Sequence, residues 1–111
     1  MDDSPSARIT EELLTWPGVT AGPHRFGGVE FHLGRRELGH LHGDRVADLP
    51  FRRERRDELI AAGRARVHRR LPDSGWVTVS LEGEDAVDDV IALLRESYDS
   101  ARSAAERRAR S

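Results

Sequence analysis

Four residues that can exchange protons or bind ligands lie on two short stretches in which apolar and polar side chains alternate. Glu30 and His32 alternate with apolar residues in the first stretch, and His40 and His42 do so in the second. Alternation with a period of two is typical of a half-buried β-strand. If the two strands form a hairpin, the four polar side chains share the face away from the apolar ones. Directly opposed Cβ atoms are then about 4.5–5.5 Å apart, close enough for one ligand.

Three imidazoles and one carboxylate at that separation suit more than one chemistry. A neutral imidazole with a pKa near ~6.5 and a carboxylate to orient it is a general base for a phenol or an enol. The same groups can hold a divalent transition metal, because His nitrogen and Glu oxygen bind zinc at about 2.0–2.2 Å. A third interpretation is a polar sheet face that is solvated or forms a dimer. We assign Glu30, His32, His40 and His42 as candidate catalytic residues and no residue as a metal ligand.

The loop between the two strands determines which residues face each other. A three-residue loop at 35–37 keeps the polar side chains on one face, and it predicts His32 opposite His40 and Glu30 opposite His42. A loop with an even number of residues would instead place the two later histidines among the apolar side chains of the first strand. We therefore expect the three-residue loop.

Three further residues are candidate ligand-binding residues. Trp76 begins a strand on whose polar face its indole would offer a flat wall to an aromatic ligand, although it can equally pack under a loop. Asp48 can orient a histidine, although an Asp at such a position is more often a turn or cap residue. His68 joins the same pocket if its strand turns it inward. Otherwise His68, like His24, is an isolated histidine.

The composition excludes several classes of protein. A chain of 111 residues forms one small domain and cannot hold a TIM barrel or a complete dinucleotide-binding enzyme. The absence of Cys excludes disulfides, thiolate catalysis and iron–sulfur clusters. A net charge of −2 is unlike that of a nucleic-acid binder, so we expect no nucleic-acid partner. The longest apolar run, Val90–Leu94, is far shorter than the ~20 residues of a membrane helix, and residues 1–5 do not resemble a signal peptide. We expect a cytoplasmic protein that does not contact membranes.

The remaining pattern predicts the elements that position these side chains. Periodicity indicates helices over 4–16, 50–62 and about 85–105, and strands over 29–33, 39–42, 45–49, 65–68 and 76–81. The order α-β-β-β-α-β-β-α describes an α+β domain, with an antiparallel sheet of about five strands and helices packed mainly on one face. We expect a single domain over 1–103 and a frayed basic end over 104–111.

Five separated segments carry a resemblance to a known family: FGGVEFHLG at 26–34, ELGHLHG at 37–43, DLP at 48–50, PDSGW at 72–76 and SY at 97–98. Together they resemble the small luciferase domain family, which includes many short bacterial proteins and is similar to a domain of fungal luciferases. The fungal enzymes oxidise a hydroxylated pyrone with dioxygen, and this reaction implies a pocket that deprotonates an enol. Light emission does not follow from a shared domain.

The residues and the resemblance together lead to one functional expectation and one alternative. We expect a small aromatic or enolic molecule to bind at the face lined by His and Glu, with oxidation or proton transfer as the reaction. The alternative is a non-catalytic module whose polar sheet face mediates homodimerisation or binds another partner. The sequence identifies no cofactor and leaves open whether the chain is an enzyme.

Overall fold

Three helices and six strands make up the fold in a computed structural model, which describes residues 2–24 and 27–111. In chain order they are α1 (Pro5–Leu13), β1 (Val19–Pro23), β2 (Val29–Leu33), β3 (Arg36–His42), β4 (Val46–Pro50), α2 (Arg53–Ala61), β5 (Arg66–Val67), β6 (Trp76–Ser80) and α3 (Ala86–Arg110). Phe26, the first residue of the segment at 26–34, lies outside the described residues.

The strands form one antiparallel sheet in the order β1-β2-β3-β4-β6-β5. This confirms the predicted α+β class and the predicted order of elements, but the sheet has six strands where about five were expected. The additional strand is β1, which pairs with β2 at one edge of the sheet. Its sequence, VTAGP, lacks regular alternation and contains the two residues that are least typical of strands. The sequence pattern therefore gives no signal for β1.

The helices cover one face of the sheet and form the core with it. Ile9 and Leu13 of α1 and Leu59 of α2 are buried, and α2 is tied to α3 by a hydrogen bond of 2.9 Å from Arg55 Nε to Glu96 Oε1. The apolar stripe of α3 packs on the central strands, and its buried apolar residues are Ala86, Val87, Val90, Leu93, Leu94, Tyr98 and Ala101. The opposite face of the sheet carries the polar side chains of the strands.

Helix α3 is longer than the sequence predicts. It continues to Arg110 instead of ending near Ala105, and its last turn carries Arg residues, which interact favourably with the C-terminal end of a helix dipole. The domain limit at residue 103 and the fraying of residues 104–111 stay predictions. Over the described residues, α3 and the two shorter helices all lack the apolar length that crossing a membrane requires.

The hairpin of β2 and β3 has a two-residue turn at 34–35 in place of the predicted three-residue loop. Glu30 pairs with His40, so the predicted pairs of His32 with His40 and of Glu30 with His42 are wrong. At Glu30 the register differs from the expected one by two residues. Because side chains alternate between faces, a displacement of two leaves each side chain on its expected face.

A β-bulge in β3 follows this shorter turn. The register shifts at Leu38, whose side chain is buried in the core and whose carbonyl accepts a hydrogen bond of 2.9 Å from Ser97 Oγ of α3. A bulge adds one residue to its strand and changes the alternation locally. As a result, Glu37 and His40 lie on the same face although they are three residues apart.

Gly75 allows the turn at 72–75 to approach the end of β4 closely. A Cβ atom at this position would lie 1.7 Å from the carbonyl oxygen of Phe51. The Phe51 amide donates a hydrogen bond of 3.0 Å to the Gly75 carbonyl, which fixes the approach. This contact directly precedes Trp76, the first residue of β6.

We predict that Gly75→Ala lowers the free energy of unfolding by about 1–3 kcal/mol, because the added methyl group must displace the backbone at Phe51. Gly22→Ala is the matched control, because Gly22 also lacks a positive φ and has no atom within 4 Å of an added Cβ. We expect it to change stability by less than about 1 kcal/mol. Urea denaturation measures both variants, and equal stabilities would contradict the close approach.

Candidate functional site

All five histidines of the chain lie on the sheet face opposite the helices. The hairpin supplies His32, His40 and His42, while His24 follows β1 and His68 follows β5. Three carboxylates lie among them and contact their ring nitrogens. We call this group the histidine face, and its members are His24, His32, His40, His42, His68, Glu30, Glu37 and Asp48.

Asp48 lies at the centre of the histidine face, and its side chain is only 8% exposed. Its Oδ2 atom is 3.1 Å from His40 Nε2, 2.9 Å from His42 Nε2 and 3.4 Å from His68 Nε2. Its Oδ1 atom accepts a hydrogen bond of 2.6 Å from Thr78 Oγ1. Burial by itself raises the pKa of Asp48, but the hydrogen bonds from His40, Thr78 and His42 outweigh burial and hold the pKa well below its usual range. Asp48 therefore stays ionised although it is buried.

His40 has a carboxylate at each of its ring nitrogens. Nδ1 lies 2.6 Å from Glu37 Oε2, and Nε2 faces Asp48. An ionised carboxylate only accepts hydrogen bonds, so both ring nitrogens carry a proton. Burial lowers the pKa of His40, but the hydrogen bonds to Asp48 and Glu37 outweigh burial and raise the pKa to about 9. His40 is therefore a buried cation at neutral pH.

Glu30 joins two further histidines. Its Oε1 atom is 2.7 Å from His24 Nδ1, and its Oε2 atom is 2.5 Å from His32 Nε2. These hydrogen bonds lower the pKa of Glu30 by more than burial raises it. The ring of His24 also stacks on that of His40, with centroids 4.0 Å apart and planes at 9°. Glu30 and His24 thus extend the network from Asp48 towards the sheet edge at β1.

Trp76 borders the histidine face. Its ring centroid is 5.5 Å from that of His40 and 6.1 Å from that of His68. His68 Nδ1 accepts hydrogen bonds from the backbone amides of residues 70 and 71, so the ring presents its Nε2–H to Asp48. The His68 ring therefore points inward, towards Asp48. This is the orientation that the sequence analysis required for His68 to join the pocket.

The structure brings every site residue predicted from the sequence to the histidine face or its border, namely Glu30, His32, His40, His42, Asp48, His68 and Trp76. Their catalytic and ligand-binding roles stay predictions. Sequence reasoning did not assign Glu37 or His24 to the site. Glu37 reaches the face through the bulge, and His24 reaches it through β1, which the sequence pattern does not reveal.

Two imidazoles are the most accessible of the group. The side chains of His42 and His32 are 34% and 29% exposed. Each is bonded through Nε2 to a carboxylate, and the described residues provide no hydrogen-bond partner for either Nδ1 atom. A ligand that binds these nitrogens would therefore displace no hydrogen bond of the described residues.

The histidine face also contains a group with metal-binding geometry. One ring nitrogen from each of His24, His40 and His42 lies within 4.8 Å of the other two. The sequence suggested a different set for a metal, namely Glu30, His32, His40 and His42. The trio includes His24 and lacks Glu30 and His32.

The family model described as the luciferase domain matches residues 35–97, more than half of the sequence. The matched segment runs from β3 into α3 and contains Asp48 with three of the five histidines. Neither the curated proteins nor the solved structures contain a match to the chain.

We predict that the free energy of unfolding, measured with a chelator present, falls as the pH rises from about 6.5 to about 9. The raised pKa of His40 means that its proton stabilises the folded state. This stabilisation is complete below the unfolded pKa of about 6.5 and is lost as the pH passes about 9. At about 1.4 kcal/mol per pKa unit, the loss is limited to about 3–4 kcal/mol. Urea denaturation at several pH values measures it.

The controls for this prediction are two histidine variants. His40→Gln removes the buried cation and should flatten the pH dependence between about 6.5 and 9. His32→Gln leaves His40 and its two carboxylates in place, so it should retain the dependence. A wild-type protein whose stability does not change over this range would show that His40 is not held in its charged form.

Proposed function

The chain belongs to the luciferase domain family, and from this membership and the histidine face we propose that it binds a small aromatic or enolic molecule there. The observation that carries the proposal is the arrangement of imidazoles around Glu30 and Asp48. Each carboxylate orients a partly exposed imidazole whose Nδ1 atom has no hydrogen-bond partner among the described residues, and Trp76 borders the same face beside His40 and His68. Oriented bases beside an apolar surface are typical of sites for small organic ligands.

Trp76 provides the apolar surface of the proposed site. An aromatic guest packs against an indole in an offset or edge-to-face geometry. The cation at His40 has its ring centroid 5.5 Å from that of Trp76. The ring centroid of His68 lies 6.1 Å from that of the same indole.

Proton transfer is the chemical step that we propose for the two accessible imidazoles. Glu30 bonds Nε2 of His32, and Asp48 bonds Nε2 of His42, so each opposite nitrogen can accept a proton from the ligand. The carboxylates would stabilise the imidazolium that forms. We do not assign this role to His40, because both of its ring nitrogens already donate hydrogen bonds.

Oxidation is the further reaction that we propose for the same site. Deprotonation converts an enol into an electron-rich enolate, and the fungal luciferases react such a substrate with dioxygen. Membership of the same family supports this reaction as a step after proton transfer. Oxygen consumption in the presence of the ligand measures the oxidation separately from binding. The cytoplasmic location and the absence of a nucleic-acid partner stay predictions from the composition.

We predict that phenols or enolic pyrones raise the melting temperature of the protein in a thermal-shift screen with a chelator present, because a ligand that binds only the folded state stabilises it. His42→Ala should weaken the best ligand at least about 10-fold, because it removes an exposed proton acceptor. Ser80→Ala is the matched control. Ser80 lies on the same face of β6 as Trp76, four residues away, and we expect unchanged binding.

The same variants test the alternative function, a module that forms homodimers or binds another partner. If no ligand raises the melting temperature and His42→Ala changes the mass measured by light scattering, the sheet face is an interface between chains and the proposed ligand site is wrong. A monomer whose mass does not change in the variant, together with ligand binding, supports the proposal.

A further inference from the structure

The nitrogens of three imidazoles converge within the histidine face. Ring nitrogens of His24, His40 and His42 lie within 4.8 Å of one another. The His42 ring is almost perpendicular to the parallel pair, at 89° to His24 and 86° to His40. Nitrogen ligands of a tetrahedral zinc ion, each about 2.0–2.1 Å from it, are about 3.4 Å apart. Side-chain rotations that move the atoms by about 1 Å therefore suffice to close the group around an ion.

Two of these rings are oriented by carboxylates in the way that metal-binding histidines are. His24 donates from Nδ1 to Glu30 over 2.7 Å, and His40 donates from Nδ1 to Glu37 over 2.6 Å. A carboxylate on the far nitrogen fixes the tautomer, makes the imidazole a better ligand and leaves Nε2 as the ligand atom. This orientation is an observation separate from the clustering of the three rings.

Asp48 supplies negative charge at the same point. Its Oδ2 atom lies 2.9 Å from His42 Nε2 and 3.1 Å from His40 Nε2. An ion held by His40 would take the place of the proton that now lies between His40 and Asp48. His24 and His40 are mostly buried, whereas His42 is partly exposed, so an ion can reach the trio from the side of His42.

We propose that His24, His40 and His42 bind one divalent transition-metal ion of the class that prefers imidazole, with Zn²⁺ as its representative and Asp48 next to the ion. Glu30 and Glu37 act as positioning residues for two of the ligands. This site does not depend on an aromatic ligand. When the ion is bound, His42 is a ligand and the pair of Glu30 and His32 remains as the proton acceptor of the proposed function.

Zinc binding to protein without an affinity tag, stripped with a chelator and then dialysed, tests the proposal. Isothermal titration with ZnCl₂ should give one site per chain, and MgCl₂ should give none, because hard cations prefer oxygen ligands. His24→Ala and His42→Ala should each weaken zinc binding at least about 100-fold. Glu37→Gln should weaken it about 10- to 100-fold, as expected for a residue that orients a ligand.

The chain offers matched controls in its other two histidines. His32→Ala and His68→Ala remove imidazoles from the same face but outside the trio, and they should change the zinc affinity less than about 10-fold. The visible absorption of the wild-type protein loaded with Co²⁺ reports four-coordinate geometry without depending on how a variant folds. No stoichiometric zinc binding, or an equal loss in all four His→Ala variants, would overturn the proposal. Because the ligand screen is performed with a chelator, either result leaves the proposed function to be judged by its own test.

Discussion

The buried carboxylate of Asp48 is the constraint to which the rest of the histidine face conforms. A charge that is removed from water costs several kcal/mol unless hydrogen-bond donors surround it. Here the donors come from different strands: His40 and His42 from β3, Thr78 from β6, and His68 from the segment after β5. The ion pairs therefore join neighbouring strands across the face that the helices leave uncovered.

The position of His40 explains why the network extends beyond Asp48. A histidine cation that is buried beside one carboxylate still has a second N–H group to satisfy, and Glu37 accepts it. Glu37 can do so because the bulge at Leu38 turns it to the same face. The bulge in turn depends on the core side of the sheet, where Ser97 of α3 bonds the Leu38 carbonyl. Packing on the helical face and charge pairing on the polar face are thus linked through a single residue of β3.

Local patterns in the sequence predict part of the fold and of the histidine face. Alternation over residues 29–33 is sufficient to place Glu30 and His32 on the polar face, and the long apolar stripe of α3 identifies the helix that covers the sheet. The register of the hairpin could not be obtained in the same way, because a two-residue turn with a bulge gives the same faces as a three-residue loop. His24 could not be assigned to the site, since β1 is held by pairing with β2 rather than by its own pattern. The central place of Asp48 depends on contacts with three other segments, which no local pattern describes.

The network around Asp48 depends on the charged state of His40, and nitrogen-15 NMR of the histidine side chains tests this state most directly. In protein treated with a chelator at about pH 8, we expect a signal from an imidazole, that of His40, with protons on both ring nitrogens. That signal should disappear in Asp48→Asn, where the acceptor of one of the two protons is no longer ionised. If all five imidazoles are neutral at this pH in the wild-type protein, the proposed network around Asp48 is incorrect.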